Sequence, residues 1–269
     1  MKKLYGLFTV FIFAFSITIN GQQDKIKIWP DLAPGTEGKS NEEYIEDGRY
    51  KKVYQPDLTI FIPEIQNENK AAVLIFPGGG YGHIAYEKEG IRTAEVFSKK
   101  GITAFVLKYR LSVEEALTDA QRALSLIRHD YKKYNINPGN IGVIGFSAGG
   151  HLAANLISHP SRSRFIDSIE STNCNPDFAI LIYGWLQELY QLVGEKNPPT
   201  FLIHASDDSH VPVEQSINYY NALIKNGVQT EMHIYEKGGH GFGLGLDKGN
   251  TGNWTKVCFD WMKQKNIIK

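Results

Sequence analysis

The chain has 269 residues, with 29 basic and 29 acidic side chains, a formal net charge of zero and 42% hydrophobic residues. That length suits one α/β domain with a sizeable core, and neutral charge without Lys/Arg blocks argues against nucleic acid or an anionic membrane as the main partner. With two cysteines and no C-x-x-C, H-E-x-x-H or calcium-loop spacing, nothing implies a metal or a cofactor.

Lys2 and Lys3 precede an apolar run over residues 4–19, and Asn20-Gly21-Gln22-Gln23 follows as a cleavage region. This pattern is read as a signal peptide over 1–21, leaving 22–269 as a single domain exported to a periplasm or the medium. An uncleaved anchor is the alternative, although the run is short for a membrane span. In an exported chain Cys174 and Cys258 could pair or remain buried thiols, and spacing does not decide between them.

Residues 25–29 lead into the Pro/Gly-rich loop 30–35. Residues 58–62 alternate and read as an edge strand ending at Pro63. Residues 71–76 read as a buried strand that ends in Pro77-Gly78-Gly79-Gly80-Tyr81-Gly82. A helix over 91–99 is closed by Gly101, and 102–107 is another buried strand. Ala116, Ala120, Ala123, Leu124 and Ile127 recur at helical spacing within a long helix over 114–134. A strand at 141–144 then runs into Gly145-Phe146-Ser147-Ala148-Gly149, with a helix over 151–157 beyond it. Strands at 178–183, 200–205 and 231–235, and helices at 213–225 and 253–264, complete the pattern. Strands alternating with helices read as α/β, with a mostly parallel central sheet covered by helices on both faces. Loops 77–82, 145–149, 206–212 and 238–243 all follow strands, so this fold gathers them on one sheet edge.

Those loops carry the chemistry. A serine in a strand-turn-helix G-x-S-x-G setting is presented on a sharp turn, which explains the small flanking residues. A serine hydroxyl needs a base, and the base needs a carboxylate to fix its tautomer. The fold's chain order of serine, acid, histidine selects His240, in a loop with five glycines across 238–245. Asp207 or Asp208 supplies the acid; spacing from Val211-Pro212, where the next helix begins, favours Asp208. Backbone N–H groups of Gly79, Gly80 and Ala148 are the candidate donors to an oxyanion. Tyr81, His83, Trp185 and His210 are candidates for lining the substrate site. His151 reads as a local hydrogen-bonding residue, and His204 as a core or turn-organising one.

With these residues the chain resembles the α/β-hydrolases. Among them it looks most like exported acetyl xylan esterases and esterase–lipase-like carbohydrate esterases. The similarity is carried by Ile28-Trp29-Pro30 with Ala33-Pro34-Gly35, PGGGY at 77–81, Glu89-Gly90, GITAFVLKYRL at 101–111 and DAQRA at 119–123. NPGNIGVIGFSAGGHLA at 137–153, PPTFLIHASDDSHVP at 198–212 and GGHGFG at 238–243 complete it. The resemblance implies an α/β-hydrolase fold, a Ser147–Asp208–His240 triad, no cofactor, and an acylated carbohydrate as substrate.

Related esterases often carry a longer insertion between the strands at 178–183 and 200–205. Here only residues 184–199 intervene, so little or no cap is expected, and Trp185, Leu186, Leu189 and Tyr190 are expected to wall an open site. The expected reaction is removal of short acyl groups, acetyl foremost, from polysaccharide or oligosaccharide. The alternatives are a feruloyl-type or general small-ester esterase, a peptidase, and a non-catalytic sugar-binding relative.

Overall fold

Apolar runs of four to six residues become strands with no exposed face. The computed structural model describes residues 23–39, 44–159, 169, 172–247 and 249–269. The signal-peptide expectation for 1–21 lies outside the described residues. The strands are β1 (Gln23–Lys27), β2 (Tyr44–Glu46), β3 (Arg49–Lys51), β4 (Asp57–Phe61), β5 (Ala72–Phe76), β6 (Thr103–Lys108), β7 (Ile141–Phe146), β8 (Ala179–Ile182), β9 (Thr200–Ala205) and β10 (Thr230–Tyr235). Eight of them form one sheet in the order β1-β4-β6-β5-β7-β8-β9-β10, while β2 and β3 make a separate hairpin. From β6 to β10 every pairing is parallel, and β4 runs antiparallel to both of its neighbours.

Residues 58–62 are therefore not an edge strand. β1 covers their outer side, with Gln23 opposite Phe61 and Lys27 opposite Asp57. Pro63 is compatible with this interior position because pairing stops at Phe61, so its missing N–H is never required.

The helices are α1 (Arg92–Ser98), α2 (Val113–His129), α3 (Ala148–Ser158), α4 (Glu214–Lys225) and α5 (Trp254–Gln264). Successive strand residues point to opposite faces, so wholly buried strands such as β5, β7 and β9 need cover on both sides. α1 and α5 meet through Phe97 and Phe259, with ring centroids 5.0 Å apart, and Trp261 of α5 lies 5.3 Å from Phe201 of β9. α2 packs on α3. α2 is shorter than expected, because Asp130 leaves the helix at φ −89°, ψ 19° and the chain reverses at Asn135, φ 52°. The helix expected at 91–99 is preceded by a wide π-type turn at Tyr86–Ile91. Among the described residues, no helix is long and apolar enough to cross a membrane. Cys174 and Cys258 are both buried and are not bridged to each other.

The Pro/Gly-rich loop after β1 is held by a buried ion pair. Arg110 grips Asp119 through Nη2 at 2.7 Å and Nε at 2.9 Å, and its own N–H reaches Oδ2 at 3.0 Å. Trp29 Nε1 donates to Asp119 Oδ1 at 2.9 Å, and Arg110 Nη1 donates to the carbonyl of Pro34. Both partners are almost wholly buried. Burial pushes the Asp119 carboxyl up, while the hydrogen bonds and charge of Arg110 pull it down. The YRL, DAQRA and IWP segments thus meet in a structural clamp. Removing one side of such a pair strands a buried charge at a cost of about 3–5 kcal/mol. Asp119→Ala should therefore lower Tm by on the order of 10 °C in a thermal melt. A shift of a degree or less would mean that the pair contributes little.

Candidate active site

The turn after β7 places Ser147 at φ 51°, ψ −116°, and α3 begins at the next residue. The flanking glycines are required by contact. A Cβ on Gly145 would lie 2.3 Å from the carbonyl oxygen of Gly149, and one on Gly149 would lie 1.9 Å from that of Phe76. The Ser147 N–H donates to Ile182 at 3.1 Å, and its carbonyl accepts from His151 and Trp185. The first N–H groups of a helix have no intrahelical acceptor, so the N–H of Ala148 is left for a ligand.

His240 Nε2 lies 2.8 Å from Ser147 Oγ, and Nδ1 lies 2.7 Å from Asp208 Oδ2. With the ring proton on Nδ1, His240 donates to the carboxylate and accepts from the serine hydroxyl. Asp208 Oδ1 accepts from the N–H groups of His210 and Val211, both at 2.9 Å. Burial opposes its charge, but these donors and His240 hold its carboxyl below the usual value.

His204, expected as a core or turn-organising residue, also supports this acid. Its Nε2 faces two acceptors, Asp208 Oδ2 at 3.2 Å and the Val211 carbonyl at 3.0 Å, so Nε2 carries the proton. Nδ1 then accepts from Ser216 Oγ at 2.7 Å, and burial keeps the ring below its usual pKa. Asp207 takes a different part. It is exposed and accepts the N–H of Gly239 at 2.7 Å, bracing the loop that carries His240.

Gly79 adopts φ 133°, and a Cβ there would fall 2.1 Å from the His83 carbonyl oxygen, so only glycine fits. Its own carbonyl accepts from Gly82 and His83. Gly80 adopts φ 62°. The N–H of Gly78 is already committed to Glu89 Oε2 at 2.6 Å. Among the described residues, the N–H groups of Gly79 and Gly80 have no protein acceptor.

Gly79, Gly80, Ser147, Ala148 and His240 line a cavity of about 610 Å³ together with His83, Trp185, His210, Arg49, Lys88, Ala85, Glu89, Val211 and Gly241. A larger hollow of about 820 Å³ opens at the opposite sheet edge, among Lys70, Asn140, Pro199 and Gln229, and its described lining has no serine, cysteine or histidine. Chemistry therefore points to the smaller one.

Tyr81 does not line the cavity. Its hydroxyl lies 2.8 Å from His151 Nδ1, and the His151 ring stacks at 4.7 Å on Trp185, which is 38% exposed. Burial pushes the His151 pKa down to about 4, so at neutral pH it is an uncharged support for the indole. Of the four bulky residues expected to wall the site, only Trp185 does so. Leu186 and Leu189 are buried in the core, and Tyr190 lines a separate hollow beside α4.

Glu89 and Tyr183 were not singled out as site residues from the sequence. Both are buried, and the Tyr183 hydroxyl donates to Glu89 Oε1 at 2.9 Å while accepting the N–H of Gly243 at 2.8 Å. The Tyr183 ring stands edge-on to His240 at 5.2 Å. The available signal was a lone acid beside the Gly90 turn and a polar-tipped residue closing an apolar strand. Neither is distinctive without the fold. Among the described residues, no group of three His, Cys, Asp or Glu side chains could hold a metal ion.

A mostly parallel sheet with a strained serine turn, and a Ser–His–Asp hydrogen-bonded series on its C-terminal edge, defines an α/β-hydrolase. Comparison with known proteins agrees. Residues 58–179 match the BD-FAE family model, and residues 175–266 match the Prolyl oligopeptidase family model. The acetyl ester-xyloside bifunctional hydrolase from Caldicellulosiruptor lactoaceticus is 32% identical, with a TM-score of 0.81 over 94% of this chain and 100% of that one. An acetylxylan esterase of Xylanibacter ruminicola is 31% identical over 240 residues, covering 74% of this chain and 48% of that protein. Endo-1,4-beta-xylanase B of Butyrivibrio fibrisolvens is 27% identical over 241 residues, covering 72% of this chain and 37% of that protein. The chain belongs to the α/β-hydrolase superfamily, among its esterase-like members. It spans about half or less of the two curated relatives.

The two aspartates are separable by substitution. Asp208→Asn should lower kcat on p-nitrophenyl acetate by on the order of 10³- to 10⁴-fold, because the amide disturbs the His240 tautomer. Asp207→Asn should cost only about tenfold, the scale of one weakened charge-assisted hydrogen bond. Equal losses in the two variants would refute this assignment of the acid.

Proposed function

We propose that this protein is a serine carboxylesterase that removes short acyl groups, acetyl foremost, from polysaccharide or oligosaccharide. The observation that carries the reading is the hydrogen-bonded series Ser147–His240–Asp208, which opens beside unpaired backbone N–H groups in one cavity. The likeness to an acetylxylan esterase and to an acetyl ester-xyloside hydrolase supports the substrate class.

In this mechanism Ser147 Oγ attacks the ester carbonyl as its proton passes to His240 Nε2. The carbonyl electron pair moves onto oxygen, and the N–H groups of Gly79, Gly80 and Ala148 receive the resulting oxyanion. As the tetrahedral intermediate collapses, the C–O bond to the sugar breaks and the departing sugar oxygen takes the proton from His240. Water then attacks the acyl-enzyme, giving a proton to the same nitrogen. The second collapse releases the carboxylic acid and returns the proton to Ser147. Asp208 holds the imidazole and stabilises its charged form throughout.

Trp185 supplies a flat apolar face for a sugar ring, and His83 and His210 line the approach. The short segment at 184–199 leaves the site without a large cap, which favours an acyl group on an oligomer over a long buried lipid tail. A peptidase reading draws on the Prolyl oligopeptidase match at 175–266, which covers the acid and histidine loops. The basic and apolar N-terminal segment supports export to a periplasm or the medium.

Ser147→Ala should reduce p-nitrophenyl acetate hydrolysis by roughly 10⁴-fold or more while the thermal melt is unchanged. Retained hydrolysis would disprove the esterase reading. Across p-nitrophenyl esters from acetate to octanoate, kcat/KM should be highest for acetate. A preference for octanoate would contradict the open, short-acyl site. Acetic acid released from acetylated xylan, set against cleavage of a chromogenic peptide, separates the carbohydrate esterase from the peptidase.

A further inference from the structure

The two loops that must cooperate in this site come from strands far apart in the sheet. The oxyanion loop follows β5, and the histidine loop follows β10. Four strand spacings separate them through β7, β8 and β9, roughly 19 Å at about 4.8 Å per strand. Catalysis by the proposed route needs their separation fixed to a fraction of an ångström, because a 1 Å error costs about 10²-fold.

One buried chain of hydrogen bonds crosses that gap. The N–H of Gly243, three residues beyond His240, donates to Tyr183 Oη at 2.8 Å. Tyr183 Oη–H donates to Glu89 Oε1 at 2.9 Å. Glu89 Oε2 accepts the N–H of Gly78, next to the two glycines with free N–H groups, at 2.6 Å. Tyr183 is wholly buried, and Glu89 is 4% exposed, at the wall of the cavity. The donors converge on the Glu89 carboxylate from both ends, Tyr183 on Oε1 and Gly78 on Oε2, so an amide in its place would set its own NH2 against one of these donors.

The elements that carry the chain are unusual at both key points. Tyr183 sits at φ 37°, a conformation a tyrosine adopts only when its surroundings hold it. Glu89 lies on the π-type turn at Tyr86–Ile91, a distortion often found at functional sites. The next residue back, Lys88, sends Nζ to the Gly241 carbonyl, so this turn reaches the histidine loop directly through Lys88 and through Tyr183 from Glu89.

We propose that Glu89 and Tyr183 are positioning residues for acyl transfer: a buried carboxylate–phenol strut that sets the distance between the oxyanion donors and His240. The proposal rests on the esterase reading. It assigns neither residue a contact with the reacting atoms. It locates the coupling between the two halves of the site in side chains supplied by the π-type turn and by the end of β8.

The test uses purified full-length enzyme carrying Tyr183→Phe, Glu89→Gln, or both. Tyr183→Phe keeps the ring against His240 and removes both hydrogen bonds, so it carries the test if Glu89→Gln does not fold. kcat and KM for p-nitrophenyl acetate are measured separately, alongside inhibition by phenylboronic acid, whose tetrahedral adduct with a serine hydroxyl occupies the same donors. Each single variant should lose on the order of 10²-fold in kcat with KM changed by less than about threefold, and should bind the boronate correspondingly more weakly. As parts of one strut they should not add, so the double variant should fall within about twofold of the worse single one. Wild-type kcat and boronate affinity in folded Tyr183→Phe, with only a lowered Tm, would overturn the proposal. So would losses that multiply in the double variant. Failure of the esterase reading shows elsewhere, as hydrolysis retained by Ser147→Ala.

Discussion

The backbone of Ser147 is held where an L-residue does not settle by itself, at φ 51°, ψ −116°. Such a conformation costs on the order of 1–3 kcal/mol and persists only when the surroundings over-determine it. Here they do: the N–H bonds to the end of β8, the carbonyl accepts two N–H groups, and the glycines on either side press against other backbone. The rest of the site follows from this one turn. Because it is so tight, α3 starts at Ala148 and its first amides face the cavity. Because β7 lies centrally in the sheet, the loops after β5, β9 and β10 converge on it from both sides.

Three buried carboxylates, Asp119, Asp208 and Glu89, are held in different ways. Asp119 is answered by a guanidinium and an indole N–H, and it locks the N-terminal loop. Asp208 and Glu89 have no guanidinium. Backbone amides and imidazoles hold Asp208 below its usual value, whereas burial pushes the Glu89 carboxyl up against the pull of one amide and a phenol. In the proposed mechanism, a proton arriving on His240 meets the Asp208 carboxylate, which its amide donors keep ionised. The same logic explains His204. Its proton is committed between Asp208 and the Val211 carbonyl, so it steadies the acid without competing for the role of base.

The central strands were legible because residues buried on both faces are mostly apolar, and short runs of that texture recur between helical stretches from residue 71 onward. The serine, His240 and the acidic pair were legible from chain order, since each lies in a loop that follows a strand. What the sequence hid was decided by partners distant in the chain. Residues 58–62 looked like an edge because β1, which covers them, is short and carries Asp24, Lys25 and Lys27. The π-type turn at 86–91 was not read from the sequence, and the Glu89 it carries has its partners, Gly78 and Tyr183, elsewhere in the chain. Tyr81 looked like a substrate contact from its place beside the glycines, yet it spends its hydroxyl on His151 and acts through Trp185.

The same displacement of roles bears on what the open site selects. Leu186 and Leu189 turn into the core and leave Trp185 alone on the cavity side of the short segment. The remaining apolar lining is small, Ala85 and Val211, whereas Arg49, Lys88, His83 and His210 are polar and at the surface or near it. Binding a long acyl chain requires a continuous apolar surface, at roughly 0.8 kcal/mol for each methylene removed from water. In this cavity that surface is the Trp185 face with Ala85, Val211 and ring carbons, and its described lining has no Leu, Ile, Met or Phe side chain to form a long apolar channel. On the esterase reading, affinity therefore comes from the alcohol side, through ring stacking on Trp185 and hydrogen bonds from hydroxyls to the polar rim, while the acyl group has to be small. His151, kept neutral by burial, stacks beneath that indole and supports its plane.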